Sequence, residues 1–126
     1  MILVFGGSYQ GKLAYALKRF GLAENDVYRC GIDDVNMPEG EKIIYEIDKW
    51  ILALVKSDTD EETMITRFAD SNRDAVVICN DISCGVVPLD PVLRKWREAV
   101  GRSMALLSDK SGEVVRLFCG IPARLK

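Results

Sequence analysis

The sequence predicts an α/β fold: a doubly wound, mostly parallel sheet of about five strands with helices on both faces, built as one domain over residues 1–126. Three observations carry this expectation. Ile2-Leu3-Val4-Phe5 and Ala75-Val76-Val77-Ile78-Cys79 are near-continuous apolar runs, the pattern of parallel strands covered on both faces. Elsewhere, apolar residues recur at helical spacing. Strands and helices alternate along the chain, which gives a sheet wound on both sides.

The first strand runs straight into Gly6-Gly7-Ser8-Tyr9-Gln10-Gly11-Lys12. A helix follows, with Leu13, Ala16, Leu17 and Phe20 on one face and Gly21 as its stop. Strand, glycine-rich turn and helix are the context in which a G-x-x-x-x-G-K string cradles phosphate, so the expected fold is P-loop NTPase-like. Gly6 and Gly11 let the backbone curl until its N–H groups converge on an anion at the helix start. Lys12 adds a positive charge aimed at the β- and γ-phosphates. The residues assigned to a bound nucleotide are therefore Gly6, Gly7, Ser8, Tyr9, Gln10, Gly11, Lys12 and Leu13. One of them breaks the pattern: after the lysine a Ser or Thr hydroxyl ordinarily helps hold Mg²⁺, and Leu13 has no such oxygen. The competing reading is a tight turn between strand and helix, with Lys12 merely solvated.

Asp26–Cys30 reads as a short second strand, followed by a polar connector in which Asp33 and Asp34 suit turns. The next segment divides into a strand ending near Tyr45 and a helix with Ile47, Ile51, Leu54 and Val55 on its apolar face. A phosphate-loop enzyme needs a carboxylate at the end of a neighbouring strand to orient Mg²⁺ and its waters. Glu46 and Asp48 are the candidate metal residues, and both equally suit a helix N-terminus as stabilising charges. Thr59, with Glu62 three residues on, is expected to form a capping box for a helix carrying Met64, Ile65, Phe68 and Ala69 and ending near Asn72. The strand at Asp74–Cys79 leads into Asn80-Asp81-Ile82-Ser83-Cys84-Gly85-Val86-Val87-Pro88, at the strand end where open α/β sheets bind ligands. Asp90 caps a helix with Pro91 at its first position. Leu93, Trp96, Val100, Met104 and Leu107 form its apolar face, with Arg94, Lys95, Arg97 and Arg102 elsewhere. Glu113–Cys119 is the last strand, closed by Gly120-Ile121-Pro122.

With 17 basic against 19 acidic residues the net charge is −2, so no general attraction to nucleic acid or anionic membrane is expected. No run has the length of a membrane span, and the short apolar start lacks the basic leader of a signal peptide, so the expected compartment is the cytoplasm. The chain contains no histidine, which removes every His nucleophile, base and metal ligand. Cys30, Cys79, Cys84 and Cys119 form no C-x-x-C pair and are expected to be reduced, mostly buried thiols.

The loop Gly6–Lys12, the segment Asn80–Pro88, Trp96-Arg97-Glu98-Ala99-Val100-Gly101-Arg102 and Gly120-Ile121-Pro122-Ala123-Arg124-Leu125-Lys126 occur in an order similar to that of bifunctional adenosylcobinamide kinase / adenosylcobinamide-phosphate guanylyltransferases. The resemblance is good over residues 1–20 and 75–126 and poor between them. It implies a P-loop fold with a terminal Gly-Ile-Pro strand and a part in late cobalamin assembly. Such enzymes phosphorylate the aminopropanol arm of adenosylcobinamide and then attach GMP from GTP through a guanylyl-histidine. The implied ligands are ATP or GTP, Mg²⁺ with a hold weakened by Leu13, and a corrinoid acceptor; the implied assembly is a homo-oligomer, a trimer. This chain departs from the family in Leu13, in Asp81 where Glu is usual, and in a shortened segment after the second strand that lacks the guanylylated histidine.

The expected function is that of a nucleotide-binding kinase-like protein with the guanylyltransferase half lost. Lys12 and Asp81 carry the catalytic assignment. The alternative is a non-catalytic nucleotide- or anion-binding, oligomeric module of the same descent, favoured by Leu13 as the retained Gly6, Gly11 and Lys12 favour the enzyme.

Overall fold

The computed structural model describes residues 1–82 and 88–126. The Ser83, Cys84, Gly85, Val86 and Val87 portion of the loop read above lies outside the described residues. In chain order the elements are β1 (Ile2–Gly6), α1 (Lys12–Phe20), β2 (Val27–Arg29), β3 (Ile43–Tyr45), α2 (Ile47–Lys56), α3 (Glu61–Ser71), β4 (Val76–Asn80), α4 (Pro91–Lys110), β5 (Glu113–Phe118) and β6 (Ile121–Arg124). The six strands form one sheet in the order β2-β3-β4-β1-β5-β6. Every pairing is parallel except β5 with β6. The architecture is the expected α/β, P-loop NTPase-like one, with β6 as a strand beyond the five read from the residues.

Successive strand residues point to opposite faces, and the apolar runs divide accordingly. Val4, Ile43, Val76, Ile78, Val115 and Leu117 pack with Ala16 and, less deeply, Leu13, Leu17 and Phe20 of α1. Leu3, Ile44, Val77, Cys79 and Val114 face the other way, onto a larger core that α2, α3 and α4 supply through Ile47, Trp50, Leu54, Ile65, Phe68, Val100 and Leu107. At its centre Trp50 and Phe68 lie 5.4 Å apart, ring to ring, and the Trp50 Nε1–H reaches the Val35 carbonyl at 3.2 Å. That bond lets a large indole be buried without stranding its donor.

Helix ends follow local chemistry. Gly21, left-handed at φ 64°, closes α1. Asp90 Oδ1 accepts from the Val92 and Leu93 N–H groups with Pro91 next, as expected. The capping box expected at Thr59 is not what starts α3: the cap lies one residue on, at Asp60, whose carboxylate takes both the N–H and the hydroxyl of Thr63. Thr59 is engaged elsewhere, its Oγ1 lying 2.7 Å from Ser57 Oγ. In the connector, Asp34 accepts from the Asn36 N–H as an Asx turn, and Asp33 pairs with Lys56. Arg102 pairs with Glu61 across the α3–α4 contact.

Gly120-Ile121-Pro122, read from the residues as the close of the last strand and implied by the resemblance to form a terminal strand, leads into β6. Cys119 (φ 50°) and Gly120 (φ 75°) make a two-residue turn with both residues left-handed, the geometry that matches strand twist in a hairpin. Phe118 pairs with Ile121, Arg116 with Ala123 and Val115 with Arg124, and the Leu125 N–H reaches the Val114 carbonyl. Residues 121, 123 and 125 therefore bond to β5, and Pro122 turns its ring nitrogen to the free edge. Among the described residues no helix is long and apolar enough to cross a membrane.

Candidate functional site

The C-terminal ends of β1, β3 and β4 meet at the glycine-rich turn between β1 and α1. β1 is flanked by β4 and β5, with Gly6 beside Asn80, and the Asp81 N–H donates to the Gly6 carbonyl at 2.8 Å. Gly6 has no room for a side chain: a Cβ there would stand 2.4 Å from the Leu117 carbonyl oxygen. Gly11 precedes α1 in the left-handed region (φ 84°) and makes no side-chain cap, so it leaves the first helical N–H groups uncapped by its own residue. That is the arrangement in which a helix start receives an anion.

Lys12 is not a solvated lysine. It is 4% exposed, and its Nζ folds back to donate to the Gly7 carbonyl at 2.6 Å. Burial pulls its pKa below the ordinary lysine value, and the carboxylates of Asp48 and then Glu46 act against that shift. An ammonium so placed stays close to the loop whose N–H groups would share the same anion.

Both metal candidates come to this place. Asp48, in the first turn of α2, is 3% exposed; its Oδ1 accepts the Asn80 N–H at 3.0 Å and its Oδ2 the Asn80 amide at 3.4 Å. Burial raises the Asp48 pKa, against the lowering effect of the Asn80 bonds. Glu46 caps α2 in the left-handed region at φ 61°, held by Lys49 at 2.9 Å and by the Asn80 amide at 3.5 Å. Trp96 of α4 donates Nε1–H to the Asp48 carbonyl at 2.7 Å. Asn80 thus ties two carboxylates from the end of β3 to the end of β4. The residues alone place Trp96 on the apolar face of α4 and give Asn80 no part in the site, although a polar side chain ending the apolar run of β4 is a signal for it.

The remaining loop residues separate. Ser8 and Tyr9 are exposed, Tyr9 at φ 60°, while Leu13 is half-buried against the α1-side core. Gln10 is engaged by the turn between β5 and β6: its Oε1 accepts from the Cys119 N–H and its carbonyl oxygen from the Gly120 N–H at 3.0 Å. Among the described residues four non-glycine positions have positive φ, and three of them (Tyr9, Glu46 and Cys119) belong to this crown. Strained backbone gathers at functional sites because only a dense surround can hold it. Cys119 is exposed, and Cys30 and Cys79 are buried free thiols. Among the described residues no three acidic or thiol side chains gather as a ready-made metal cage.

A family model described as Cobinamide kinase / cobinamide phosphate guanyltransferase matches residues 32–125. The match runs through the middle of the chain, where the resemblance read from the residues was poor, and includes Glu46, Asp48, Asn80, Asp81 and the terminal hairpin. It starts beyond the phosphate loop, so the loop stands on its strand–turn–helix geometry. No curated protein matches the chain.

Proposed function

The chain belongs to the cobinamide kinase / cobinamide phosphate guanyltransferase family, and on that premise we propose that it binds ATP or GTP at Gly6–Lys12 and transfers the γ-phosphoryl group to the hydroxyl of a cobinamide-type acceptor. The observation that carries this reading is a buried Lys12 folded over the loop beside two carboxylates tied by Asn80. Phosphoryl transfer needs little covalent chemistry from a protein. It needs positioning and compensation of charge on the phosphate oxygens. The loop N–H groups and the Lys12 ammonium supply both. Asp81, next to the Gly6 carbonyl, takes the role of orienting the acceptor hydroxyl and receiving its proton.

Glu46 and Asp48 are the residues that would hold Mg²⁺, and the ion would add charge neutralisation between the phosphates. The fit is a lean one: both Asp48 oxygens already accept from Asn80, and Leu13 offers no oxygen, so phosphates, water and Glu46 would complete the shell. We therefore expect nucleotide affinity in the wild type to gain little from Mg²⁺, and Leu13→Ser to restore a dependence on it. Calorimetric titration of ATP and GTP against both proteins, with and without Mg²⁺, is the test. A strong wild-type response to Mg²⁺ would show that another residue replaces the hydroxyl. No response in either protein would favour the second reading, a non-catalytic binding module, which the apolar packing of Leu13 supports.

Guanylyl transfer through a histidine phosphoramidate is expected to be absent, since the chain has no histidine. Protein incubated with labelled GTP and then denatured should carry no label. An acid-labile, alkali-stable adduct would refute this. The family reading further proposes a cytoplasmic homo-oligomer, a trimer, which sedimentation would test.

A further inference from the structure

The loop is fastened on one side to an element that phosphate chemistry does not require. Two consecutive N–H groups at the tip of the β5–β6 hairpin, those of Cys119 and Gly120, both end on Gln10, one on its side-chain oxygen and one on its carbonyl. They can do so because both tip residues are left-handed, which turns successive N–H groups to the same side. The glycines of the loop match this approach. A Cβ on Gly11 would lie 3.6 Å from the Gly120 Cα, and one on Gly6 would meet the Leu117 carbonyl just before the tip. The hairpin therefore braces the loop at its beginning, middle and end.

We propose that Gln10 is a positioning residue that fastens the phosphate loop to the hairpin tip, so that nucleotide binding in the loop and ordering of Cys119 and Gly120 are coupled. This rests on the nucleotide reading of Gly6–Lys12. In this role Gln10 need not touch the phosphates. Its side chain is committed to the hairpin, and it acts through the loop by holding the peptide groups that precede Gly11 and Lys12 in their converging arrangement. A loop held in its binding shape loses less freedom on binding. Whatever favours the bound loop must also favour the docked tip, because the coupling is reciprocal.

The test uses the full chain with Mg²⁺-free ATP and, as a simpler probe, tripolyphosphate, and follows amide hydrogen exchange residue by residue. In the wild type, saturating ATP should slow exchange at Cys119 and Gly120. In Gln10→Met, which keeps bulk and removes the acceptor, Cys119 should exchange faster, ATP should no longer slow it, and affinity for both probes should fall by roughly fivefold, as one net hydrogen bond predicts. Gln10→Glu keeps an acceptor oxygen and should return Cys119 protection in the free protein. A merely structural role would lower the melting temperature without altering the response of the tip to ATP. Wild-type affinity in Gln10→Met, together with tip amides indifferent to ATP in the wild type, would overturn the coupling while leaving nucleotide binding intact. Failure of the wild type to bind either probe would overturn the nucleotide reading, and the coupling with it.

Discussion

Lys12→Ala is expected to lower affinity for ATP and GTP by about 100-fold or more, the largest loss of binding from any single substitution in the loop. A hydrogen bond to a charged group contributes about 1.5–3 kcal/mol, and about 1.4 kcal/mol is a factor of ten. An ammonium shared between two phosphates therefore supports a hundredfold loss. The burial of Lys12 strengthens the case, because its side chain is largely withdrawn from water and, among the described residues, its ammonium donates to the Gly7 carbonyl alone. The same substitution removes a positive charge whose field the buried Asp48 shares, and a buried carboxylate with less compensation destabilises the fold. Calorimetry should show the binding loss, and thermal unfolding a lowered midpoint. Lys12→Arg should not rescue binding, because a planar guanidinium does not fit the space of a folded-back lysine. Unchanged affinity in Lys12→Ala would remove the nucleotide from this loop altogether.

Gly6→Ala is expected to cost the fold about 3 kcal/mol or more, at the upper end for overpacking. The added methyl would lie 2.4 Å from the Leu117 carbonyl oxygen and 3.4 Å from its carbon. Both atoms belong to the backbone of β5, which is locked in register with β1, so no side chain can swing aside to make room. Relief requires parting two central strands. Gly7→Ala is the control, because its nearest neighbour would be the Gln10 Cγ at 3.7 Å, an ordinary van der Waals contact; its stability should change by less than about 0.5 kcal/mol. Urea unfolding of the two variants measures the difference. A Gly6→Ala protein as stable as the wild type would mean that β5 can draw back from the loop.

Much of this arrangement was legible in the residues because burial on two faces leaves a strong signal. The runs Ile2–Phe5 and Val76–Cys79 could hardly be anything but central strands, and they became β1 and β4, hydrogen-bonded side by side. The strand–glycine–helix order placed Lys12 at a helix start, but not its burial near Asp48, Cys79 and Glu46, which come from segments far along the chain. The capping error at α3 arose from two adjacent residues with equal chemical ability; Ser57 took the Thr59 hydroxyl and left Asp60 to the helix. The resemblance implied the terminal strand, but the local residue pattern hid the hairpin for a different reason. Cysteine is an unusual residue at positive φ, and proline inside a run argues against a strand, so neither Cys119 nor Pro122 advertised a turn or an edge. The Asn80 bridge needed two segments more than thirty residues apart to meet, which no local pattern encodes.

Pro122 has a bearing on how this molecule behaves among its own copies. An outermost strand is a template: its unsatisfied peptide groups invite a stranger's backbone to continue the ladder, and stacked ladders grow into fibrils. Along β6 the outward peptide positions are those of Pro122 and Arg124. Proline has no hydrogen to offer, which leaves Arg124 as the outward donor within β6, on a cationic residue that repels its equal. The strand that braces the loop from within is thus a poor primer for polymerisation from without, and copies that meet at this rim must recognise one another by side chains and not by a shared sheet.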